Sequence, residues 1–146
     1  MRSTSSKSKT SAKIDFALKL RDAKLRPTQQ RLWLAKLLFS GADRHVTAER
    51  LHSEAIRAGA NLSLATVYNT LHQFTEVGLL RQVIVDGDKI HFDTNTGEHH
   101  HFYFEGDDEL TDIPGRDVRI EGLPKAPAGT EIERVEVVVR LKSRHG

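Results

Sequence analysis

Three consecutive imidazoles, His99, His100 and His101, stand between Glu98 and Phe102 in a chain of 146 residues that carries eight histidines and no cysteine. A neutral imidazole ligates zinc, iron or haem iron. On a strand, side chains alternate between faces, so His99 and His101 point one way and His100 the other, and one strand can serve two different sites. The plain alternative is a solvated His-rich loop. Consecutive histidines on a strand cannot all face one ion, and no helix-borne H-E-x-x-H is present, so the pattern is not read as an enzyme. The missing cysteines exclude disulfides, a Cys-type structural zinc and thiol chemistry together.

A second set of chemically useful residues lies upstream. Over residues 64–77, Leu64, Val67, Leu71 and Phe74 fall at helical core spacing, which leaves Thr66, Tyr68, Asn69, His72 and Gln73 on other faces. An amide and an aromatic hydroxyl on the first half of such a helix suit base edges in a major groove. The turn Gly59-Ala60-Asn61-Leu62 before it has helix-turn-helix length. Charge favours the same reading over an ordinary amphipathic helix. Residues 1–81 hold 14 Lys and Arg against 6 Asp and Glu, whereas residues 82–146 hold 8 against 14. A basic first half suits a polyanion; the acidic second half suits neither DNA nor an anionic membrane.

The elements that must position these residues follow from period and punctuation. Good helix formers run from Lys13 to Lys24, and Pro27 opens a second helix with Trp33, Leu34, Leu37 and Leu38 as its apolar stripe. Thr47 caps a third helix with Leu51, Ala55 and Ala58 inward and Gly59 at its end, and Ser63 caps the fourth, closed by Gly78. Leu79–Val85 and Lys89–Thr94 then read as strands joined by an Asp86-Gly87 turn. Helices followed by a hairpin are the layout of a winged helix. Further strands are expected at His99–Glu105, Glu109–Ile113 and Ile132–Leu141, with a Pro/Gly-rich connection over 114–129. Residues 1–11, rich in Ser, Thr and Lys without an apolar stretch, read as a disordered basic tail and not as a secretory signal. No apolar run is long enough to span a membrane, and a cytoplasmic protein is expected.

Leu25-Arg26-Pro27-Thr28-Gln29-Gln30-Arg31, His45-Val46-Thr47-Ala48-Glu49 and Leu64-Ala65-Thr66-Val67-Tyr68 follow one another in an order and spacing that resemble the ferric uptake regulator family, over roughly Lys19 to Ile113. The resemblance implies an α+β protein. A winged helix-turn-helix DNA-binding domain would cover residues 12–94, a hinge 95–98, and a small α/β dimerisation and ligand-sensing domain 99–146. The partners implied are double-stranded operator DNA and a second copy of the chain. Tyr68 would enter the major groove beside Asn69, which stands where the family usually has Arg. Arg26 is implied in a minor-groove or phosphate contact and Arg31 in a phosphate contact, with Thr28 and Thr66 on the same surface.

Members of that family typically carry H-H-D-H where this chain has H-H-H-F, followed by paired cysteines that this chain lacks. Aligned on the preceding strand, His99 and His100 match the first two histidines, His101 replaces the Asp and Phe102 the last His. The regulatory metal set implied is His45, Asp93 and His100, with Asp112 for a later acid and His91, on the face of Asp93, compensating for the lost His. The triplet without cysteine resembles the iron response regulator branch. That branch implies a regulator of iron and haem homeostasis, repressing genes of haem synthesis. Its ligand is haem, held here by His99, His100 and His101 with the axial residue open, and a haem-delivering protein is a further partner. The alternative is a sensor of a divalent ion, Fe, Mn or Zn.

Overall fold

A computed structural model describes residues 14–86 and 89–144. The expected basic tail over 1–11 and the turn residue Gly87 lie outside the described residues. The chain divides into two compact units, residues 1–96 and 97–146.

Among the described residues, four helices and a small sheet build the first unit. Helix α1 spans Phe16–Asp22, shorter than composition predicts at both ends. Asp15 caps it by accepting from Leu18 N–H at 3.0 Å, and Lys24 leaves helical conformation at φ 69°. Helix α2, Gln29–Phe39, starts at Gln29 and not at Pro27, because the Thr28 hydroxyl captures the free Arg31 N–H and sets the first turn there. Leu34, Ala35 and Leu38 are its buried residues. Helix α3, Ala48–Arg57, is capped by Thr47 and buries Ala48, Leu51 and Ala55. Ala58, expected to face inward, is the exposed C-cap, since Gly59 at φ +95° turns the chain out of the helix and brings Ala60 inward instead.

Helix α4, Leu64–Glu76, begins where Ser63 accepts from Thr66 N–H at 3.0 Å. Val67, Leu71 and Phe74 are fully buried as their spacing predicts, but Leu64 remains 39% exposed. Leu64 sits in the first turn, and the buried position one turn before Phe74 goes to Thr70, whose hydroxyl donates to the Thr66 carbonyl at 2.8 Å. The helix-turn-helix corner is pinned by the His52 ring, whose Nε2 lies 2.8 Å from the Leu62 carbonyl oxygen.

The sheet of this unit has the order β1–β3–β2, with β1 His45–Val46, β2 Arg81–Asp86 and β3 Lys89–Asp93, all antiparallel. The two-residue β1 carries no sequence signal of its own. It exists because the Thr94 N–H donates to the Arg44 carbonyl at 3.0 Å, and the Arg44 N–H to the Thr94 hydroxyl at 2.9 Å, which extends the β3 ladder. Arg44 also donates bidentately to Glu54, at 2.9 and 2.6 Å, and to the Leu37 carbonyl at 3.2 Å, tying β1 to α2 and α3.

The second unit is a three-stranded sheet in the order β5–β4–β6, with β4 His99–Phe104, β5 Glu109–Pro114 and β6 Val138–Leu141. Strand β5 pairs antiparallel with β4, and β6 pairs parallel to it on the other side. Its helical content among the described residues is one 3-10 turn, Gly115–Asp117. Gly115 is required there, because a Cβ would stand 2.9 Å from the Glu98 carbonyl oxygen. The terminal strand is confined to Val138–Leu141; the expected start at Ile132 is not realised, and residues 118–137 have no helix or strand. The His100 ring takes the Val137 N–H, so the ladder begins only after it. Tyr103 is the fully buried centre of this unit, with Leu110 across from it.

Replacing Ser63 with Ala removes the cap of α4 and is expected to cost about 1 kcal/mol in chemical denaturation, with Ser63→Asp retaining most of it. Equal midpoints for Ser63→Ala and the parent chain would show that the cap contributes nothing.

Candidate nucleic-acid interface and metal centre

The polar residues of α4 separate into two flanks. Thr66, Asn69 and Gln73 share one side with the start of α2, where Thr28, Gln30 and Arg31 join them around a cleft of about 240 Å³. Asn69 is exposed, as a reader of base edges must be. The Arg31 guanidinium lies against the Gln73 side chain and donates to the Arg26 carbonyl. Thr28 and Thr66 also act locally, since Thr28 caps α2 and the Thr66 hydroxyl accepts from Ser63 at 2.9 Å. On the other flank, Tyr68 is half-buried. Its ring stands 4.9 Å from His72 and meets Phe92 of β3 edge-on at 6.4 Å. Gln73 and His72 lie one turn after Asn69 and Tyr68, and that i, i+4 relation is the signal that links them to the expected readers.

In the first unit, His45 and Asp93 are register partners across β1 and β3, with Nε2 to Oδ2 at 3.2 Å. Asp93 is completely buried, and its other oxygen, Oδ1, accepts from Asn95 N–H at 2.9 Å. That bond orients the carboxylate and leaves Oδ2 for the imidazole. His91 is buried two residues before Asp93 on the same face of β3, and the buried Arg81 is the β2 register partner of Asp93.

In the second unit, β4 alternates as expected: His99 and His101 share a face with Asp112, which pairs with His101 on β5. The Nε2 atoms of both rings lie 3.5 Å from the same Asp112 oxygen, Oδ1, and the ring centroids are 4.6 Å apart. His99 Nδ1 is 2.7 Å from the Gly97 carbonyl oxygen. A carbonyl can only accept, so Nδ1 carries the proton, and in the neutral ring Nε2 turns its lone pair toward Asp112. One imidazole lone pair, a second imidazole nitrogen and a carboxylate oxygen thus converge within 4.8 Å of one another. This donor set fits a divalent cation, which would relieve the crowding of negative partial charge. His100 is not brought to this group: it turns to the opposite face, and its Nδ1 accepts from Val137 N–H at 3.0 Å.

The model of the ferric uptake regulator family matches residues 22–137, and this chain belongs to that family. The ferric uptake regulation protein of Vibrio anguillarum is 37% identical over 81 residues, 56% of this chain and 54% of that protein. The Shigella flexneri protein is 38% identical over 82 residues, 56% of this chain and 55% of its own length. The chain thus spans about half the length of the curated relatives it matches. Among solved structures, the Vibrio cholerae ferric uptake regulator superimposes with a TM-score of 0.70 at 22% identity, covering 88% of this chain and 100% of that one. The Pseudomonas aeruginosa regulator, solved with manganese, gives 0.68 at 24%, covering 90% and 99%. These likenesses show the α+β fold. No helix among the described residues is long and apolar enough to cross a membrane.

His101→Ala or Asp112→Asn should weaken binding of Mn²⁺ or Zn²⁺ in calorimetric titration by about 10- to 100-fold or more. His100→Ala should leave ion affinity unchanged and loosen the terminal strand, seen as faster amide exchange over Val138–Leu141. If His100→Ala removed ion binding while His101→Ala spared it, the ligand assignment would be reversed.

Proposed function

We propose that this chain is a dimeric, cytoplasmic DNA-binding regulator whose affinity for double-stranded operator DNA is set by a divalent ion, Fe²⁺, Mn²⁺ or Zn²⁺. The observation that carries the reading is the convergence of His99 and His101 Nε2 on Asp112 Oδ1. His45 and Asp93 supply a second donor pair in the first unit. The Pseudomonas aeruginosa relative was solved with manganese and the Francisella tularensis one with iron, in keeping with such ligands. Helix α4 enters the major groove with Asn69 reading bases, Tyr68 at its flank, and Arg26 and Arg31 contacting phosphates alongside Thr28 and Thr66. An ion on His45 and Asp93 braces β1 against β3. That strand carries Phe92, on which Tyr68 and His72 rest, so bracing it steadies the reading helix. In the second unit, exposed Ile120, Leu123, Ile132, Val139 and Leu141 and the outer edge of β6 support pairing with a second copy.

The geometry favours an ion over haem. The two histidines that share a face converge on a carboxylate, a mixed nitrogen and oxygen donor set that suits a divalent ion; the third bonds to the backbone. The iron response regulator branch and a haem-delivering partner rest on the His triplet and the lack of Cys alone.

The test is an anisotropy titration of labelled operator and random duplexes with the full chain, metal-free, with each ion, and with haem. A divalent ion should tighten operator binding about 5- to 150-fold, and operator should tighten ion binding by the same factor. Tyr68→Ala or Asn69→Ala should lower discrimination between the duplexes. Identical operator binding by the metal-free chain and with every ion would overturn the reading, and a response to haem that survives His101→Ala and Asp112→Asn would move the signal to haem.

A further inference from the structure

We propose that Gln73 is half of a phosphate clamp, holding Arg31 and meeting the same phosphate through its own amide. This rests on the reading that α4 docks on duplex DNA. The Gln73 Oε1 accepts from Arg31 Nε at 3.3 Å and from Nη2 at 3.2 Å, while Nη1 donates to the Arg26 carbonyl at 2.9 Å. One guanidinium therefore joins the first turn of α2, the chain just before it and the third turn of α4. A guanidinium has five N–H donors in a fixed fork and no acceptor. Three are used here, which leaves one N–H on each terminal nitrogen.

The amide orientation follows from the same chemistry. Because Arg31 only donates, the Gln73 oxygen must face it, and the NH₂ group is turned away from it. The free surface of the pair offers N–H groups from both residues and no acceptor, which matches a phosphate oxygen and rejects a cation. The pair also borders the cleft lined by Thr66 and Asn69. A phosphate seated on it fixes the register at which Asn69 meets the bases.

The neutrality of Gln73 is the discriminating feature. A carboxylate at this position would accept both Arg31 bonds at least as well, but it would cancel the positive charge and present an acceptor to the phosphate. Gln73→Glu therefore separates a phosphate clamp from a mere tie between helices, and Gln73→Ala, which loses the tie but adds no charge, is the second variant. In the full chain, Gln73→Glu should unfold at or above the parent midpoint. It should lose about 10- to 100-fold in affinity for operator and random duplex alike, the size of a charge-assisted hydrogen bond. The slope of log affinity against log salt should become shallower by about 1. Gln73→Ala should show a smaller loss with the slope largely kept. Parental affinity and slope in Gln73→Glu, beside a parent chain that binds DNA, would overturn the clamp alone, as would a loss confined to operator. A parent chain that binds no duplex in any metal state would overturn the clamp and the regulator reading together.

Discussion

Strand β3 sends Phe92 into the core of the first unit and Asp93 to the opposite face, one residue apart. A pleated strand allows no other arrangement. Phe92 meets Tyr68 and His72 of α4, while Asp93 meets His45. Helix α4 and a candidate ion ligand are therefore held by neighbouring residues of one short strand. That strand is the middle one of its sheet, paired on both sides, so it cannot slip by one residue without exchanging its buried aromatic for a buried carboxylate.

The same alternation governs β4. His99 and His101 fall on the face of Asp112, and His100 falls on the face where its ring binds the backbone of the terminal segment. Three identical residues in a row thus do two different things. Two present nitrogen to a carboxylate oxygen; the third ends one segment and starts a strand. The Gly97 carbonyl, by holding the proton on His99 Nδ1, decides which nitrogen of that ring remains basic.

Arginines join the helices of the first unit, and their environments divide their labour. Arg44 is satisfied by Glu54 and the Leu37 carbonyl, and its charge is neutralised inside the unit. Arg31 is held by a neutral amide and a carbonyl, so its charge is not cancelled. That uncancelled charge stands beside the exposed Asn69, and the proposed contact with a polyanion rests on the pair.

The sequence by itself determined the helices, their caps at Thr47 and Ser63, the hairpin that follows α4, and the period that splits the His triplet, because these depend on residues near one another along the chain. It also located most residues of the candidate site: His99 and His101 were legible as metal or haem ligands by type, and His45, Asp93 and Asp112 through the family resemblance. Which acid the paired histidines meet was not legible. Alignment by motif placed His100 with the acids, whereas cross-strand register placed His99 and His101 beside Asp112, since register depends on how the partner strand is set against β4. The strand β1 and the Arg31–Gln73 contact are likewise tertiary, the latter joining residues 42 apart. The terminal strand shows the converse. Ile132 to Leu141 has the composition of a strand throughout, but only Val138–Leu141 gains a neighbour to pair with, and without a ladder partner composition alone leaves a chain extended and unpaired.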